Sequence, residues 1–283
     1  MRLLLVTYEF PPKGGPGVQR PLKLVKYLTR FGWDSTVLTV AEPPTALVDA
    51  TLETELPASA RVMRAWSLEP TRAIQLLKRL LGGSGAAAAA AQSGAVGYSA
   101  APSWLVRLVQ GMFVPDEKRF WKPWAVRVGA AAATADRCTV VVSSGPPHTA
   151  HLVGAAVARR LGLPHVVDLR DPWVGAYHRR YATPLHRVVD AWLERRTVLD
   201  ARAVVTVTER MAEMYRERYP GTRVLVIPNG FDPADLPEPV AVSHEGFVLA
   251  YTGTFGGARQ PDSLLAGVAL AESRHPRLAQ DLR

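Results

Sequence analysis

Two short polar clusters, SSGPPH at 143–148 and DLRDPW at 168–173, carry the side chains best suited to chemistry. Each follows a short apolar run rich in β-branched residues, and an amphipathic segment ending at Gly162 separates them. This order predicts the βαβ unit of a parallel sheet. Ligands of open parallel sheets bind outside the carboxyl ends of the strands. The Arg170 guanidinium and the Asp171 carboxylate therefore lie where such folds bind ligands, and both can bind hydroxyl groups.

These residues also have purely structural interpretations. Arg170 and Asp171 are expected to form a mutual ion pair that fixes their loop if they do not bind a ligand. His148 has a similar alternative, as a residue that begins the following helix and packs locally. The sequence leaves both interpretations open.

The first predicted strand ends in a third candidate loop, FPPKGGPG at 10–17. Gly14 and Gly15 let backbone amides approach an anion, and the N-terminus of the following helix adds partial positive charge. The loop is not of the Walker type because no Gly-Lys-Ser/Thr follows. It is a poor dinucleotide fingerprint because Arg20 takes the place of the third glycine, although Glu42 imitates the ribose-binding acid of a dehydrogenase. A loop that merely turns the chain is the remaining alternative.

Short apolar runs recur along the chain, and helical periodicity fills most of the intervals. The runs lie at 3–7, 35–40, 61–65, 139–142, 165–169, 203–207, 224–227 and 247–251. The stretch 185–199 places Leu185, Val188, Val189, Trp192 and Leu199 on one stripe, opposite Arg187, Asp190, Glu194 and Arg195. This pattern is typical of a helix that buries its apolar stripe. Alternating strands and helices predict an α/β protein with a doubly wound parallel sheet.

Two segments interrupt this pattern and indicate the domain organisation. The glycine- and alanine-rich stretch 82–101 predicts a mobile loop, with an isolated alanine helix as the alternative. Several prolines and Asn229-Gly230 predict a linker over 229–245. We therefore expect a first domain over 1–228. The strand at 247–251 and a helix near 261–272 are expected to open a second domain at 246–283, too small to close a core of its own.

Composition restricts the class of protein. The 283 residues carry a formal net charge of +9, which favours anionic partners, with an arginine-rich solvated surface as the alternative. The single cysteine, Cys138, permits no disulfide within the chain and fits a cytoplasmic protein. The apolar start is too short for a signal peptide, and no apolar run reaches the roughly 18 residues of a membrane span. No nucleic-acid recognition motif accompanies the charge.

Several motifs, taken together and in order, resemble those of family-four glycosyltransferases, which are retaining enzymes of GT-B fold that use nucleotide sugars. The motifs are FPPKGG at 10–15, VPD at 114–116 followed by Trp121, SSGPP at 143–147, DLRDPW at 168–173, IPNGFD at 227–232 and YTGTFGG at 251–257. The resemblance covers almost the whole chain. It implies a Rossmann-like acceptor-side domain followed by the first βα unit of a Rossmann-like donor domain.

The resemblance also implies roles for individual residues. Gly14 and Gly15 would lie beside the donor phosphates, and Gly253, Thr254 and Arg259 would hold the leaving diphosphate. Fixed donors and arginine stabilise such a leaving group without a metal, so neither a metal nor a cofactor is expected. The nucleotide sugar is itself the substrate, and the acceptor would be a saccharide or a lipid-linked molecule.

The chain also departs from the family pattern. Many relatives carry a histidine where Ser143 and Ser144 end the strand here, and His148 is the candidate substitute. We therefore assign catalytic roles to His148, Arg170 and Asp171. Ser144 and Trp173 are assigned to acceptor binding. The alternative for Trp173 is that its ring merely covers the core.

The second departure concerns the donor domain. The two glutamates that hold the donor in relatives are expected beyond the last residue, so weak or absent transfer by this chain alone is expected. The alternative function is a non-catalytic remnant, or a partner subunit that binds acceptor or a separate donor-domain chain.

Peripheral contact with the inner face of the plasma membrane is a further hypothesis. It rests on two basic amphipathic segments, 72–81 and 104–113. Ordinary helices that face a core are the alternative.

Overall fold

The computed structural model describes residues 1–41, 47–68, 113–176, 181–236, 238, 248–252 and 260–275. The chain divides into two compact units, Met1–Phe231 and Asp232–Arg283. Glu42, the stretch 82–101 and the amphipathic segments 72–81 and 104–112 lie outside the described residues.

Within its described residues, the first unit contains one seven-stranded sheet. Its strands are β1 (Arg2–Thr7), β2 (Asp34–Val40), β3 (Arg61–Ala65), β4 (Val140–Gly145), β5 (His165–Leu169), β6 (Ala203–Thr206) and β7 (Val224–Val226). All neighbouring pairs are parallel, in the order β3-β2-β1-β4-β5-β6-β7. The predicted doubly wound parallel sheet is confirmed, and its order reverses between β1 and β4.

Strand β4 extends further than the sequence indicated. Ser143 and Ser144 pair with Val6 and Thr7 of β1, and Gly145 pairs with Leu169 of β5. The two serines are therefore buried strand residues rather than loop residues. Their hydroxyl groups find partners inside the sheet layer, which permits polar side chains at buried strand positions.

The helices of the first unit cover both faces of the sheet. They are α1 (Pro16–Leu28), α2 (Lys122–Ala135), α3 (Thr149–Leu161), α4 (Pro184–Leu199) and α5 (Glu209–Arg218). Because successive side chains of a strand alternate between faces, Leu3 and Leu5 share a cluster with Val25 of α1. Leu4 and Val6 instead share a cluster with Ala125 of α2 and with residues of α3. Burial on both faces explains why β1 is a continuous apolar run.

Helix α4 presents the opposite face to that expected. Its bounds agree with the prediction, but Asp190 and Glu194 are buried at 0% and 1% exposure. Leu185 and Trp192 on the apolar stripe are 68% and 53% exposed. The helix turns its carboxylates inward because they accept hydrogen bonds from the segment after β5, from Tyr215 of α5 and from Tyr219 just after it. The predicted stripe is correct as a pattern and wrong as the buried face.

In the second unit, the described residues form a 3-10 turn at Pro233–Asp235 and helix α6 (Asp262–Arg274). The helix agrees with the prediction for 261–272. Residues 248–252 are described and belong to no strand, so the strand expected over 247–251 is wrong for them. Val248, Leu249 and Tyr251 remain 41%, 46% and 50% exposed, so they lack the burial that stabilises an apolar strand.

Candidate functional site

The candidate site lies at the carboxyl edge of the sheet, where the loops after β1, β4 and β5 meet. The reversal of strand order between β1 and β4 opens a crevice at this edge in doubly wound sheets. Helices α1 and α3 begin directly after two of these loops, at Pro16 and Thr149. The first loop and both polar clusters therefore belong to one edge.

A buried ion pair joins helix α1 to strand β5. Arg20 of α1 grips Asp168 of β5, with Nη2 2.8 Å from Oδ1 and Nε 3.0 Å from Oδ2. Ser144 Oγ donates to the same carboxylate at 2.7 Å. Asp168 is only 2% exposed, so its charge needs both partners to offset its desolvation. Ser144, predicted to bind the acceptor, has its hydroxyl group engaged here.

Arg20 also reaches the segment that follows β7. Its Nη1 donates to the Pro228 carbonyl at 3.1 Å and lies 3.5 Å from Asn229 Oδ1. One guanidinium thus holds α1, β5 and the end of the β7 segment together. Arg20 therefore helps to fix the backbone at Pro228 and Asn229, near the end of the first unit.

Arg170 has a similar connecting role. Its guanidinium donates to the Gly17 carbonyl and, at 2.5 Å, to the Pro146 carbonyl. Burial lowers the pKa of Arg170, while the charges of Asp168, Glu9 and Asp171 raise it. Its hydrogen bonds go to these carbonyls, so the mutual ion pair with Asp171 is not what fixes this loop. Asp171 is exposed, and its carboxylate is the one predicted catalytic group open to solvent among those described.

His148 and Trp173 form a stacked pair behind the edge. Their ring centroids lie 5.0 Å apart with planes at 4°, and His148 is the residue before α3. The two side chains are 7% and 0% exposed. Trp173 Nε1 donates to Asp190 at 2.7 Å, so its ring is held inside the unit by α4. This environment corresponds to the local-packing and core-cover alternatives for these two residues.

Asp116 fixes the start of α3. Its carboxylate accepts from the Thr149 amide at 2.9 Å and from the Thr149 hydroxyl at 2.7 Å. It also accepts from the Lys118 amide at 3.0 Å. A carboxylate at this position satisfies an amide that lacks an intrahelical acceptor and complements the helix dipole. The motif 114–116 thereby positions His148.

The two glycines of the first loop serve different purposes. The Gly14 amide donates to the Leu47 carbonyl at 3.0 Å, and a Cβ at Gly14 would lie 3.1 Å from Leu47 Cγ. Gly15 adopts φ 102° as the residue before α1, a conformation that glycine adopts without strain. Pro16 has no amide hydrogen. The Val18 amide donates to the Gly15 carbonyl at 3.2 Å, as the Gly14 amide does to Leu47. In the first turn of α1 the Gly17 amide is therefore the one that an anion would meet.

A buried hydroxyl–histidine cluster lies beneath the edge. Ser143 Oγ lies 2.8 Å from His151 Nδ1 and 2.8 Å from His165 Nε2. Burial lowers the pKa of His165 to about 4 and lowers the pKa of His151 well below its ordinary value. The neighbouring charges of His148, His165 and Arg170 lower that of His151 further. Both rings are therefore neutral near pH 7.

Gly253, Thr254 and Arg259, predicted to hold the diphosphate, lie outside the described residues. The roles of the other predicted site residues stay predictions. Sequence reasoning missed Arg20, Asp168 and Glu194 as organising residues. The available signal was a carboxylate inside the apolar run 165–169, because a charge at such a position requires a partner elsewhere in the chain.

We expect Arg20→Lys to lower the free energy of unfolding by about 1–2 kcal/mol, because lysine loses the bidentate geometry on Asp168. Thermal unfolding followed by circular dichroism measures the change. Arg30→Lys is the matched control, since Arg30 is exposed and its guanidinium lies 4.5 Å from the Tyr27 ring. Equal melting temperatures for the two variants would contradict a structural role of the pair.

Comparison with known proteins indicates the family of this chain. The sequence profile of Glycosyltransferase Family 4 matches residues 84–235. No curated protein sequence matches the chain. No described helix combines the length and apolar character needed to cross a membrane.

Solved structures support the same fold. The UGT71G1 of Medicago truncatula, complexed with UDP-glucose, superposes with a TM-score of 0.52 at 11% identity, covering 96% of this chain and 64% of that one. The lipopolysaccharide outer core galactosyltransferase WaaB, in its apo form, gives a TM-score of 0.50 at 10% identity, covering 100% and 67%. Against another solved structure, UGT2 of Phytolacca americana, the chain spans 52% of the length, at 13% identity and a TM-score of 0.47. The chain thus spans between about half and two thirds of the length of these three proteins.

Proposed function

This chain belongs to Glycosyltransferase Family 4, and we propose that it transfers a hexose from a nucleotide sugar to a polysaccharide or lipid-linked acceptor. The observation that carries the proposal is the span of the family match. Residues 84–235 include both polar clusters, and in this chain those clusters meet the glycine loop at one edge of the sheet. The fold neighbour from Medicago truncatula was solved with UDP-glucose, which makes UDP-hexoses the first donors to test.

In this proposal the described residues at the carboxyl edge of the sheet form the acceptor side of the site. The start of α1 offers the Gly17 amide and the partial positive charge of the helix N-terminus toward the donor diphosphate. Asp171 is the exposed carboxylate of the edge and binds an acceptor hydroxyl. Arg170 acts through the backbone, since it holds Gly17 and Pro146 in place. His148 and Trp173 support the edge from behind.

The departing nucleoside diphosphate gains negative charge as the glycosidic bond to phosphate breaks. Fixed amides and arginine side chains stabilise that charge without a metal, and we assign Gly253, Thr254 and Arg259 to this step by resemblance. Retention of the anomeric configuration follows from attack on the face that the diphosphate leaves. The acceptor proton passes to the leaving phosphate oxygen.

Sugar transfer from UDP-glucose and UDP-galactose to lipid and polysaccharide acceptors, followed by mass spectrometry, tests the proposal. We expect the parent chain to form product. We expect Asp171→Asn to form at least about tenfold less, because the edge loses its exposed carboxylate. Asp34→Asn is the matched control, since Asp34 begins β2 at the opposite edge of the sheet. Product that is equal in both variants would remove Asp171 from the site.

Activity of these 283 residues alone is expected to be weak, and a second function follows from that expectation. In the described part of the second unit, one helix and one 3-10 turn present little surface to enclose a nucleotide. A partner subunit that binds acceptor beside a separate donor-domain chain is therefore the alternative. Transfer that appears only after a donor-domain chain is added would favour this alternative. Ordinary turnover by the chain alone would contradict it.

A further inference from the structure

The exposed side of α4 carries an apolar stripe that the described residues leave uncovered. Leu185, Val188, Trp192 and Leu199 are 68%, 63%, 53% and 43% exposed, and Val189 is 40% exposed. These positions follow the helical repeat, so they form one continuous line about 20 Å long. Large contiguous apolar patches on a protein surface mark sites of interaction.

Basic side chains surround this stripe. Arg195 and Arg196 are exposed on α4, beside Val188 and within the stripe respectively by the helical repeat, and Arg159 and Arg160 are exposed at the end of α3. Arg159 of α3 and Arg196 of α4 lie within 3.2 and 4.0 Å of the same Asp200 carboxylate, so these two cations are close to each other. The Arg196 guanidinium lies 5.5 Å from the Trp192 ring centroid. The apolar line therefore has a strongly positive border.

The one acidic residue at this end of the helix does not change that sign. Asp200 lies 3.2 Å from Arg159 and 4.0 Å from Arg196, so its charge is already shared between two arginines. A second copy of the chain docked along the same stripe would bring like charges together, which is unfavourable. An anionic surface instead attracts the arginines around the stripe, and the apolar side chains of the stripe can insert into that surface.

We propose that α4 is an interfacial helix through which the protein docks on an anionic lipid bilayer. Tryptophan is favoured at the boundary between headgroups and acyl chains, and arginines reach phosphate groups while their stems stay among apolar groups. The helix connects two parallel strands, so it runs antiparallel to them and its Leu185 end lies near the carboxyl edge of the sheet. The docked edge consequently faces lipid-linked acceptors, a consequence that rests on the proposed function.

Co-sedimentation with vesicles of phosphatidylcholine and phosphatidylglycerol in equal parts tests the docking. Binding of the whole chain is expected, and Trp192→Ser should weaken the partition coefficient about tenfold because it removes the largest apolar side chain of the stripe. Arg195→Gln and Arg196→Gln should each weaken it about fivefold and make it less sensitive to salt. Phe31→Ser is the matched control, since Phe31 is 73% exposed but lies after α1. It should leave binding unchanged.

Three results would overturn the proposal. They are absence of binding, equal binding to vesicles of phosphatidylcholine alone, and a dimer that dissociates in Trp192→Ser while vesicle binding persists. All substituted side chains are exposed, so equal melting temperatures will show that the variants are folded. Vesicle binding needs no sugar donor, so its failure is distinct from failure of the transfer assay.

Discussion

Glu194→Ala is expected to lower the free energy of unfolding by about 3–5 kcal/mol, the largest effect of any single substitution considered. Glu194 is 1% exposed and accepts from the Val174 amide at 2.6 Å. Its carboxylate also accepts from Tyr219 Oη at 2.6 Å and from Arg218 Nη1 at 2.7 Å. Alanine would leave the Tyr219 hydroxyl and the partly buried Val174 amide without this acceptor, and a buried donor that loses its acceptor costs its full desolvation free energy.

Thermal unfolding followed by circular dichroism measures this loss. A domain of this size loses roughly 2–4 °C of melting temperature per kcal/mol, so a decrease of about 10 °C is expected. Glu213→Ala on the exposed side of α5 is the matched control and should change stability by less than about 0.5 kcal/mol. Glu194→Gln, which keeps the shape and loses the charge, should lie between the two. A similar melting temperature for Glu194→Ala and Glu213→Ala would remove Glu194 as the anchor of the segment after β5.

The strands of the first unit were predictable because their signal is local. The runs at 3–7 and 203–207 correspond to β1 and β6, whose residues are almost all buried, since a strand buried on both faces is mostly apolar. The placement of the polar clusters at the carboxyl edge followed from the same alternation of strands and helices. Family motifs then indicated the fold neighbours.

The contacts that join distant parts of the chain were not predictable from local pattern. Arg20 and Asp168 are far apart in sequence, and they meet only because the folded chain places α1 next to the end of β5. The sequence also could not show which face of α4 is buried, because an apolar stripe normally marks the buried side of a helix. Here the hydrogen bonds that Asp190 and Glu194 accept, from Trp173 and from tyrosines in and just after α5, decide which face is buried. The apolar stripe does not.

Acidification is expected to destabilise the first unit well above the range in which carboxylates titrate. The pKa of His165 is lowered to about 4 by burial, against an unfolded value of about 6.5. Below pH 6.5 the unfolded chain therefore binds a proton that the folded chain does not bind, so stability decreases as the pH falls. The contribution is constant above pH 6.5 and decreases by about 1.4 kcal/mol per pH unit toward pH 4. His151, whose pKa is also lowered, adds to the same slope.

Urea unfolding at a series of pH values between 7 and about 4.5 measures this slope. The double variant His151→Asn and His165→Gln is expected to flatten it, because each amide places a polar atom near the ring nitrogen that meets Ser143 and neither amide titrates. His275→Gln is the matched control, since His275 is exposed in the second unit, and it should leave the slope unchanged. If the double variant keeps the parental slope, the acid sensitivity has another source and the two histidines are not held neutral by burial.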